Sequence, residues 1–421
     1  MRLVTQVVAA VLTFSSARYV YAQDEIPKGV SNKADAESPL RKKVNSELID
    51  TGTKSDSETE DKSKLKFSGY VYPFMSVRYR PDALPQQRWD AGAAETYVGF
   101  VLEGEPLPYI GYFVEIGLNV ARVRALTSAS AVDKEGDGTI DTLATKDSSV
   151  LGEIIEEATG HFIPTSWSRI KLGRMRVPFT VQALSPLTDL MFPQRPAPTT
   201  IFLSGTDLGA LAEVTPLDGL IEASVGMFNG RGNITSGDRS ERGWLYAARV
   251  DVNPLGEVPN NFDLKRGGPK VGVGAGATHY TAKVFDSAGF VNSKAKEMRL
   301  SASLRFSFWG LFLQGEWMTW RRTDNVNERD DRNTGGYVQG SFYLPFTSTF
   351  GIAPKLRYGS VQEDRSFLPR RTRWVEAGLS TFFGKEEPGD VGRLNLSYTG
   401  EIRETEGETA HGATLSYLIK F

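Results

Sequence analysis

The middle of the chain holds two β-like stretches on either side of a long segment of different character. Residues 168–179 read Ser-Arg-Ile-Lys-Leu-Gly-Arg-Met-Arg-Val-Pro-Phe, and residues 207–216 read Asp-Leu-Gly-Ala-Leu-Ala-Glu-Val-Thr-Pro. We interpret them as a strand that ends near Pro178 and a strand that returns to Pro216, joined by the loop 179–206. A loop of this length without secondary structure of its own is usually functional. If the rest of the chain forms a membrane barrel, this loop is expected to fold into the lumen.

The composition of the 421-residue chain excludes several classes of protein. Cysteine is absent and histidine occurs three times, which removes disulfide scaffolds, thiol catalysis and Cys-ligated zinc. The net charge of −2 argues against a nucleic-acid partner. High glycine content (42 residues), 11% aromatic residues and only 40% hydrophobic residues fit a transmembrane β-barrel, in which alternate residues face lipid. On composition alone, a soluble β-sandwich or propeller fits as well.

The N-terminus has the features of a secretory signal peptide. Arg2 precedes an apolar run from Leu3 to Phe14, and Val20-Tyr21-Ala22 forms a cleavage-site pattern before Gln23. We therefore assign residues 1–22 to a signal peptide. Residues 23–64 are rich in Ser, Asn, Lys, Asp, Glu and Thr and cannot bury enough apolar surface to fold, so we predict a disordered periplasmic N-terminal segment.

The region 65–421 alternates between apolar and polar residues with the period of a β-strand and is predicted to form an all-β, antiparallel transmembrane barrel. The runs are about 10–12 residues long, the length that a tilted strand needs to cross a bilayer. They number about 16, an even count as in closed bacterial barrels, and long polar loops alternate with short turns between them. The connection 253–269 is too long for a short turn. One run illustrates the two predicted faces, with serines toward the lumen and apolar residues toward lipid: Ser301, Ser303 and Ser307 against Leu304 and Phe306.

The last strand carries a further signal. Its alternate residues are apolar and the chain ends in Phe421, a pattern that resembles the assembly signal of outer-membrane barrels. We therefore expect insertion by the barrel assembly machinery among the lipids of the cell outer membrane of a Gram-negative bacterium. Aromatic residues near the predicted strand ends fit the interfacial girdles that such barrels carry, and ordinary packing stays open as the alternative for each of them: Trp167, Trp244, Trp309, Trp317, Trp320, Tyr337, Trp374 and Tyr398.

Five short motifs resemble the phosphate-selective porins of the O/P family. They occur in the family's order and cover the region predicted to be the barrel: Gly173–Phe179, Asp207–Gly209, Gly226–Gly230, Ala248–Pro254 and Leu313–Trp317. The resemblance implies a porin of 16 strands that is usually a homotrimer. It also implies that the third loop folds inward to form the constriction, where basic residues attract phosphate or other small anions.

Candidate pore residues follow from the loop and from strand parity. Six arginines are candidate pore and anion-binding residues: Arg174, Arg176, Arg195, Arg249, Arg299 and Arg305. If the loop folds inward, Arg174, Arg176 and Arg195 lie near the narrowest point, and for each lumen-facing residue a solvated wall position stays open as the alternative to a ligand site. Arg174 and Arg176 share the face of Ile170 and Leu172, so a bulge near Gly173 is needed to turn them inward. Other charged residues are assigned to the lumen by parity, bases as well as acids: Lys355, Arg357, Arg393, Glu115, Glu213, Glu222, Glu316 and Glu376. Because loop 179–206 itself holds one base and one acid, we expect a modest preference for anions and no strong phosphate filter.

Two other functions are weighed. An external loop imitates the oxygen spacing of a calcium site but has Ala144 where a bidentate Glu is required, so a weak Ca²⁺ loop and a polar turn both stay open; its candidate ligands are Asp133, Glu135, Asp137 and Asp141. No other cofactor is predicted.

The histidines His161, His279 and His411 lie on different strands without a serine partner at recognisable spacing, so we do not expect an enzyme. The main alternative to a diffusion porin is a non-conducting barrel with an adhesin or structural role.

Overall fold

The chain folds into a closed antiparallel β-barrel of 16 strands, as predicted. The structure is a computed structural model and describes the following residues: 65–83, 88–107, 109–119, 130–132, 142–144, 155–202, 205–230, 241–259, 261–285, 291–324, 329–365, 368–385, 387–404 and 407–421. The proposed signal peptide 1–22, the segment 23–64 and the four calcium-ligand candidates Asp133, Glu135, Asp137 and Asp141 lie outside these residues and stay predictions.

Each of the 16 strands pairs with its neighbours in sequence. In chain order the strands are β1 Lys66–Tyr79, β2 Trp89–Leu107, β3 Ile110–Asn119, β4 Ile155–Thr165, β5 Ser168–Arg176, β6 Thr206–Val214, β7 Ile221–Phe228, β8 Glu241–Val252, β9 Lys270–Phe285, β10 Val291–Phe308, β11 Leu311–Asp324, β12 Arg329–Phe342, β13 Phe350–Arg365, β14 Leu368–Phe383, β15 Gly392–Arg403 and β16 Glu408–Lys420. Smaller elements are the two-stranded hairpin Ser130–Val132 with Thr142–Ala144, the short strand Leu344–Pro345, the helices α1 Val181–Leu184 and α2 Ala197–Phe202, and the 3₁₀ turns Leu187–Asp189 and Leu217–Gly219.

The barrel closes between its first and last strands. β16 pairs antiparallel with β1, with Met75 opposite Leu415. Beyond the end of β16, the backbones of Gly69 and Phe421 exchange two hydrogen bonds of 2.8 and 3.0 Å. A side chain at Gly69 would meet the Phe421 ring at 2.7 Å, so a glycine is needed where the terminal aromatic covers β1. The ring also packs edge-on to Phe100 of β2 at 6.3 Å, which attaches the chain end to the first hairpin.

Several strands extend further toward the long-loop end than the sequence pattern predicts. β10 begins at Val291 and β12 at Arg329, whereas the apolar alternation becomes regular only near Met298 and Gly336. The alternation marks the part of a strand that contacts lipid. Beyond that band both faces are polar, so the ladder continues without a signature in the sequence.

The two faces of the wall have the predicted polarity. On β10, Ser301 and Ser303 are buried on the inner face, whereas Leu304 is 57% exposed on the outer face. Large apolar side chains are exposed in the same way around the ring, including Val225, Val338 and Leu396. Within the described residues, no helix is long and apolar enough to span a membrane. A closed barrel with an apolar exterior belongs in a membrane, which confirms the predicted location in the outer membrane of a Gram-negative bacterium.

The aromatic residues near the strand ends divide between the two alternatives, exposed positions suited to an interfacial girdle and packing in the interior. Trp167, Trp244, Trp309, Trp317 and Tyr398 are exposed, each between 47% and 55%. Three others pack inside the barrel against apolar side chains of the loop that follows β5: Trp320, Tyr337 and Trp374. Their parity is that of lumen-facing residues, and proximity to a strand end did not reveal it.

Candidate functional site

The loop Val177–Gly205 leaves the wall at the top of β5 and crosses the lumen. Pairing of β5 with β4 ends at Ala158 and Arg174, whereas pairing with β6 continues to Arg176. Gly173 lies just before this separation with φ +134°, a conformation that L side chains rarely adopt, and a Cβ there would collide with the carbonyl of Ala158. The predicted bulge is absent, because the β5–β6 register runs through Gly173 without a shift. The positive φ of Gly173 occurs one residue before β5 stops pairing with β4.

The first turn of the loop is bound to one buried carboxylate on the opposite wall. Glu316 of β11 accepts hydrogen bonds from the backbone N–H groups of Val181 (2.6 Å) and Gln182 (3.5 Å), and from the Tyr337 hydroxyl (2.6 Å). The hydroxyl of Thr180 accepts from the N–H of Ala183 at 3.0 Å. The N–H groups at the start of α1 have no partners within the helix, so these acceptors satisfy them in the protein interior.

Basic side chains of the wall bind the backbone of the loop along its whole course. Five of them, from four strands, each donate to a loop carbonyl: Arg249 to Phe179 (2.9 Å), Arg393 to Thr188 (3.1 Å), Lys355 to Met191 (2.6 Å), Arg357 to Gln194 (3.1 Å) and Arg299 to Phe202 (3.2 Å). A buried carbonyl outside a helix or sheet must find a donor. The wall supplies these donors, and the loop is thereby fixed in place.

Apolar packing completes the attachment of the loop. Phe179 and Phe202 are buried with Met318, Tyr337 and Val361 of the wall. A second cluster joins loop residues to the β8–β9 connection and β11: Met191, Phe192, Val258 and Phe312. The apolar side chains of the loop, which are too many for a loop in water, therefore pack against the barrel interior.

The β8–β9 connection, which was too long for a short turn, folds into the lumen from the opposite end. Asn261 accepts from the Gln182 side chain at 2.9 Å, and Gln182 also donates to Gln314 at 2.9 Å. Asp263 accepts from the Gly310 N–H at 2.9 Å, and Phe262 packs edge-on to Phe382 at 5.0 Å. This segment supports the loop from below, which explains its length.

A cavity, which we call the passage, lies on the other side of the loop. This cavity of about 200 Å³ is enclosed by the inner faces of β1 to β8 and by the loop edge at Pro178, Leu184 and Pro186. Its wall carries charges of both signs: Glu115, Glu157, Arg169, Lys171, Glu213, Glu222, Arg249 and Asp251. Lys171 and Glu213 form an ion pair of 3.0 Å. The cavity is polar enough to hold water and small polar solutes.

At the loop edge of this passage, one arginine is held between two carboxylates. Arg176 forms ion pairs with Glu115 (2.7 Å) and Glu157 (3.1 Å), and it donates to the Leu184 carbonyl at 3.2 Å. The Tyr70 hydroxyl donates to Glu115 at 3.3 Å. The charge of Arg176 is thus opposed by two negative charges, so this point of the passage is not a positive ring.

Arg195, within the loop, has a structural contact of its own. It donates to the carbonyls of Gln182 and Ser185, both at 2.8 Å, and so ties the returning arm of the loop to the outgoing arm. Burial lowers the pKa of its guanidinium to about 10, with a further contribution from Arg176, so it still carries a positive charge at neutral pH.

The other predicted arginines lie in different surroundings. Arg249 forms a 2.6 Å ion pair with Asp251, Arg305 approaches the same Asp251 at 3.5 Å, and Arg299 pairs with Glu297 at 3.0 Å. Arg176 lines the cavity, whereas Arg174 does not. It lies opposite Leu208, which is 49% exposed on the outer face, and it donates to the Thr206 hydroxyl at 3.1 Å.

Parity reasoning identified most of the wall but not the function of its parts. It placed Lys355, Arg357, Arg393 and Glu316 in the lumen without showing that they hold the loop. It did not single out Glu157, Tyr70 or Asn261. The adjacent acids at 156–157 sit where β4 bulges opposite Glu115, and a register shift of this kind is not visible in the sequence.

Comparison with known proteins gives the fold. No protein-family model and no curated protein matches this sequence. Three solved structures illustrate the similarity. An anion-selective porin from Comamonas acidovorans is 10% identical and has a TM-score of 0.53, covering 85% of this chain and 100% of its own. OmpF of Salmonella typhi, in complex with daunomycin, is 12% identical with a TM-score of 0.52, covering 86% and 99%. OmpT of Vibrio cholerae, an outer membrane protein in a trimer form, is 8% identical with a TM-score of 0.52, covering 86% and 100%. The fold is that of outer-membrane porins, whereas membership of the phosphate-selective O/P family stays a prediction.

Proposed function

We propose that this barrel is a passive diffusion channel for small polar solutes. One observation carries the proposal: the inward loop is fixed chiefly against β8 to β15, while a charged cavity remains between it and the inner faces of β1 to β8. A scaffold or adhesin has no need of a narrowed but polar interior. A porin needs both, because a narrow passage lined with charges limits the size of a solute and replaces part of its hydration.

We further propose that selectivity is weak, with a modest preference for anions such as phosphate. The pairing of Arg176 with Glu115 and Glu157 argues against strong selection of either sign. The trimeric assembly implied by the resemblance is part of the same proposal, supported by the trimer form of the Vibrio cholerae structure.

Planar-bilayer recording tests this function. Purified protein is expected to conduct in KCl, to give a small reversal potential of anionic sign under a salt gradient, and to lose part of its chloride conductance when phosphate is added. Correctly folded, heat-modifiable protein that inserts without conducting would favour the alternative, a non-conducting barrel with an adhesin or structural role. A reversal potential of cationic sign would retain the channel and remove the anion preference.

A further inference from the structure

Arg169 of β5 differs from the other arginine and lysine residues that line the passage. Among the described side chains, three of these bases form ion pairs: Lys171 with Glu213 (3.0 Å), Arg176 with Glu115 and Glu157 (2.7 and 3.1 Å), and Arg249 with Asp251 (2.6 Å). The guanidinium of Arg169 forms no ion pair and no hydrogen bond with any residue that the structure describes. Its positive charge is therefore available to a solute in the passage.

Arg169 is also deeply buried. Only 3% of its surface is exposed, and its Nε is buried without a hydrogen-bond partner in the described part of the chain. An arginine on a channel wall normally places its charge in water or in an ion pair. A buried, unpartnered donor of a charged group is costly, and a bound ion is one arrangement that removes the cost.

A second unpartnered polar group lies beside Arg169. Thr215 follows β6, lines the same cavity and is 6% exposed, and its hydroxyl is buried without a hydrogen-bond partner among the described residues. The Thr215 N–H donates to the Trp167 carbonyl at 2.8 Å, and Arg169 lies opposite Glu213, so Arg169 and Thr215 are diagonal neighbours on adjacent strands. Diagonal neighbours are about 7–8 Å apart, within the reach of a long side chain. One small ligand can accept from both groups.

The acids near Arg169 limit the charge of such a ligand. Glu213, the cross-strand partner of Arg169, is bound to Lys171, and Glu222 lines the same cavity. Glu103 of β2 interacts electrostatically with Arg169 without forming an ion pair with it. These carboxylates would repel a second negative charge on the ligand. A carboxylate carries a single charge, and its planar shape matches a guanidinium through two parallel hydrogen bonds.

The position of Arg169 separates it from the constriction. Arg169 is the second residue of β5, beside the short turn that follows β4, whereas Arg176 ends the same strand at the loop edge. The seven positions between them correspond to about 23 Å at the rise of a β-strand. The two arginines therefore act on a solute at opposite ends of the passage.

We propose that Arg169 and Thr215 form a binding site for small organic monocarboxylates at the short-turn end of the passage. The guanidinium binds both carboxylate oxygens, and the Thr215 hydroxyl donates to one of them. This inference rests on the proposed channel function and adds a class of solute to it. A weak site of this kind concentrates the solute in the passage and still releases it, as conduction requires.

Planar-bilayer conductance of the full chain in potassium acetate tests the site, with KCl and potassium phosphate as comparison salts. The conductance of native channels should saturate with acetate concentration. R169Q should raise the half-saturation concentration about tenfold, because a neutral amide replaces a charge-assisted pair of hydrogen bonds. Thr215→Val keeps the shape and the charge and should raise it severalfold. The matched control R174Q removes the same charge from the same strand outside the cavity and should saturate like the native channel.

Three outcomes would overturn the proposal. The same half-saturation in native and R169Q channels, or no saturation in either, would show that acetate does not bind at Arg169. An equal rise in R174Q would show a general charge effect, and saturation in phosphate without saturation in acetate would show the wrong class of anion. In each of these cases the channels still conduct in KCl, whereas failure of the proposed channel function is seen as folded protein that does not conduct in KCl at all.

Discussion

Charged and polar residues line both halves of the lumen, but they bind the inward loop in one half and surround a cavity in the other. On the β9–β15 side, charged and polar groups of the wall are bonded to the loop, as Glu316, Lys355 and Arg357 show. On the β1–β8 side, charged groups such as Lys171 and Glu213 pair with each other around an open cavity. The first half is a packed interior and the second is a passage.

The difference shows why a basic residue in a barrel lumen is not by itself an anion site. A loop that crosses the lumen buries carbonyl groups, and each buried carbonyl requires a donor. Arginine and lysine reach these carbonyls from the wall. Their charges are then committed to holding the constriction, and selectivity depends on the few charges that still line the passage.

Removal of the loop should have the largest effect. Deleting residues 184–203 is expected to raise single-channel conductance severalfold, because the deletion empties the packed half and merges it with the passage. The measurement is single-channel recording on heat-modifiable protein. An unchanged conductance in a correctly folded deletion variant would show that the loop is not the constriction.

The next effect concerns the sign of selectivity. Arg176→Ala should move the reversal potential clearly toward cations, because Glu115 and Glu157 would then face the passage without their arginine. Arg174→Ala is the matched control and should leave the reversal potential near the native value, since Arg174 lies opposite the outward-facing Leu208. Equal shifts in the two variants would contradict this separation of the two arginines.

A smaller effect should distinguish the two halves by stability. The Glu316 carboxylate accepts three hydrogen bonds, and Glu316→Gln would place an amide N–H₂ group beside those three donors. This variant should therefore lower the free energy of unfolding by roughly 2–4 kcal/mol. Glu213→Gln, on the passage side, loses one ion pair between partly exposed groups and should cost at most about 1 kcal/mol. Urea unfolding followed by the electrophoretic shift of the folded barrel measures both, and similar losses would remove the contrast between the halves.

Much of the fold was predictable because the residues of a membrane barrel strand alternate between a polar lumen and apolar lipid, and this alternation is visible in the sequence. Alternation identified all 16 strands, and the Ser301 and Leu304 faces of β10 are as predicted. The inward course of loop 179–206 was also predicted, from its apolar content and its length. The terminal Phe421 lies against β1, as part of the barrel closure.

The parts that sequence could not reveal depend on contacts between distant residues. The β8–β9 connection enters the lumen because Val258 and Asn261 meet partners on the loop and on β11, and no local pattern encodes this. Strand parity also does not show which of the lumen-facing basic side chains are covered by the inward loop. Ser301 faces inward as predicted, yet its hydroxyl is buried against the Phe179 carbonyl at 2.7 Å, so an inward side chain is not always an accessible one.

The most direct test of the division of the lumen is chemical access during conduction. The chain has no native cysteine, so single cysteines can be introduced without background. Ser224 lines the passage, whereas Ser301 is buried on the packed side, where its hydroxyl donates to the Phe179 carbonyl at 2.7 Å. A small charged, hydrophilic thiol reagent added to a planar bilayer should reduce the current through Ser224→Cys channels and leave Ser301→Cys channels unchanged. Block of Ser301→Cys, or a conducting Ser224→Cys channel that reacts with the reagent without any loss of current, would contradict a passage along β1 to β8.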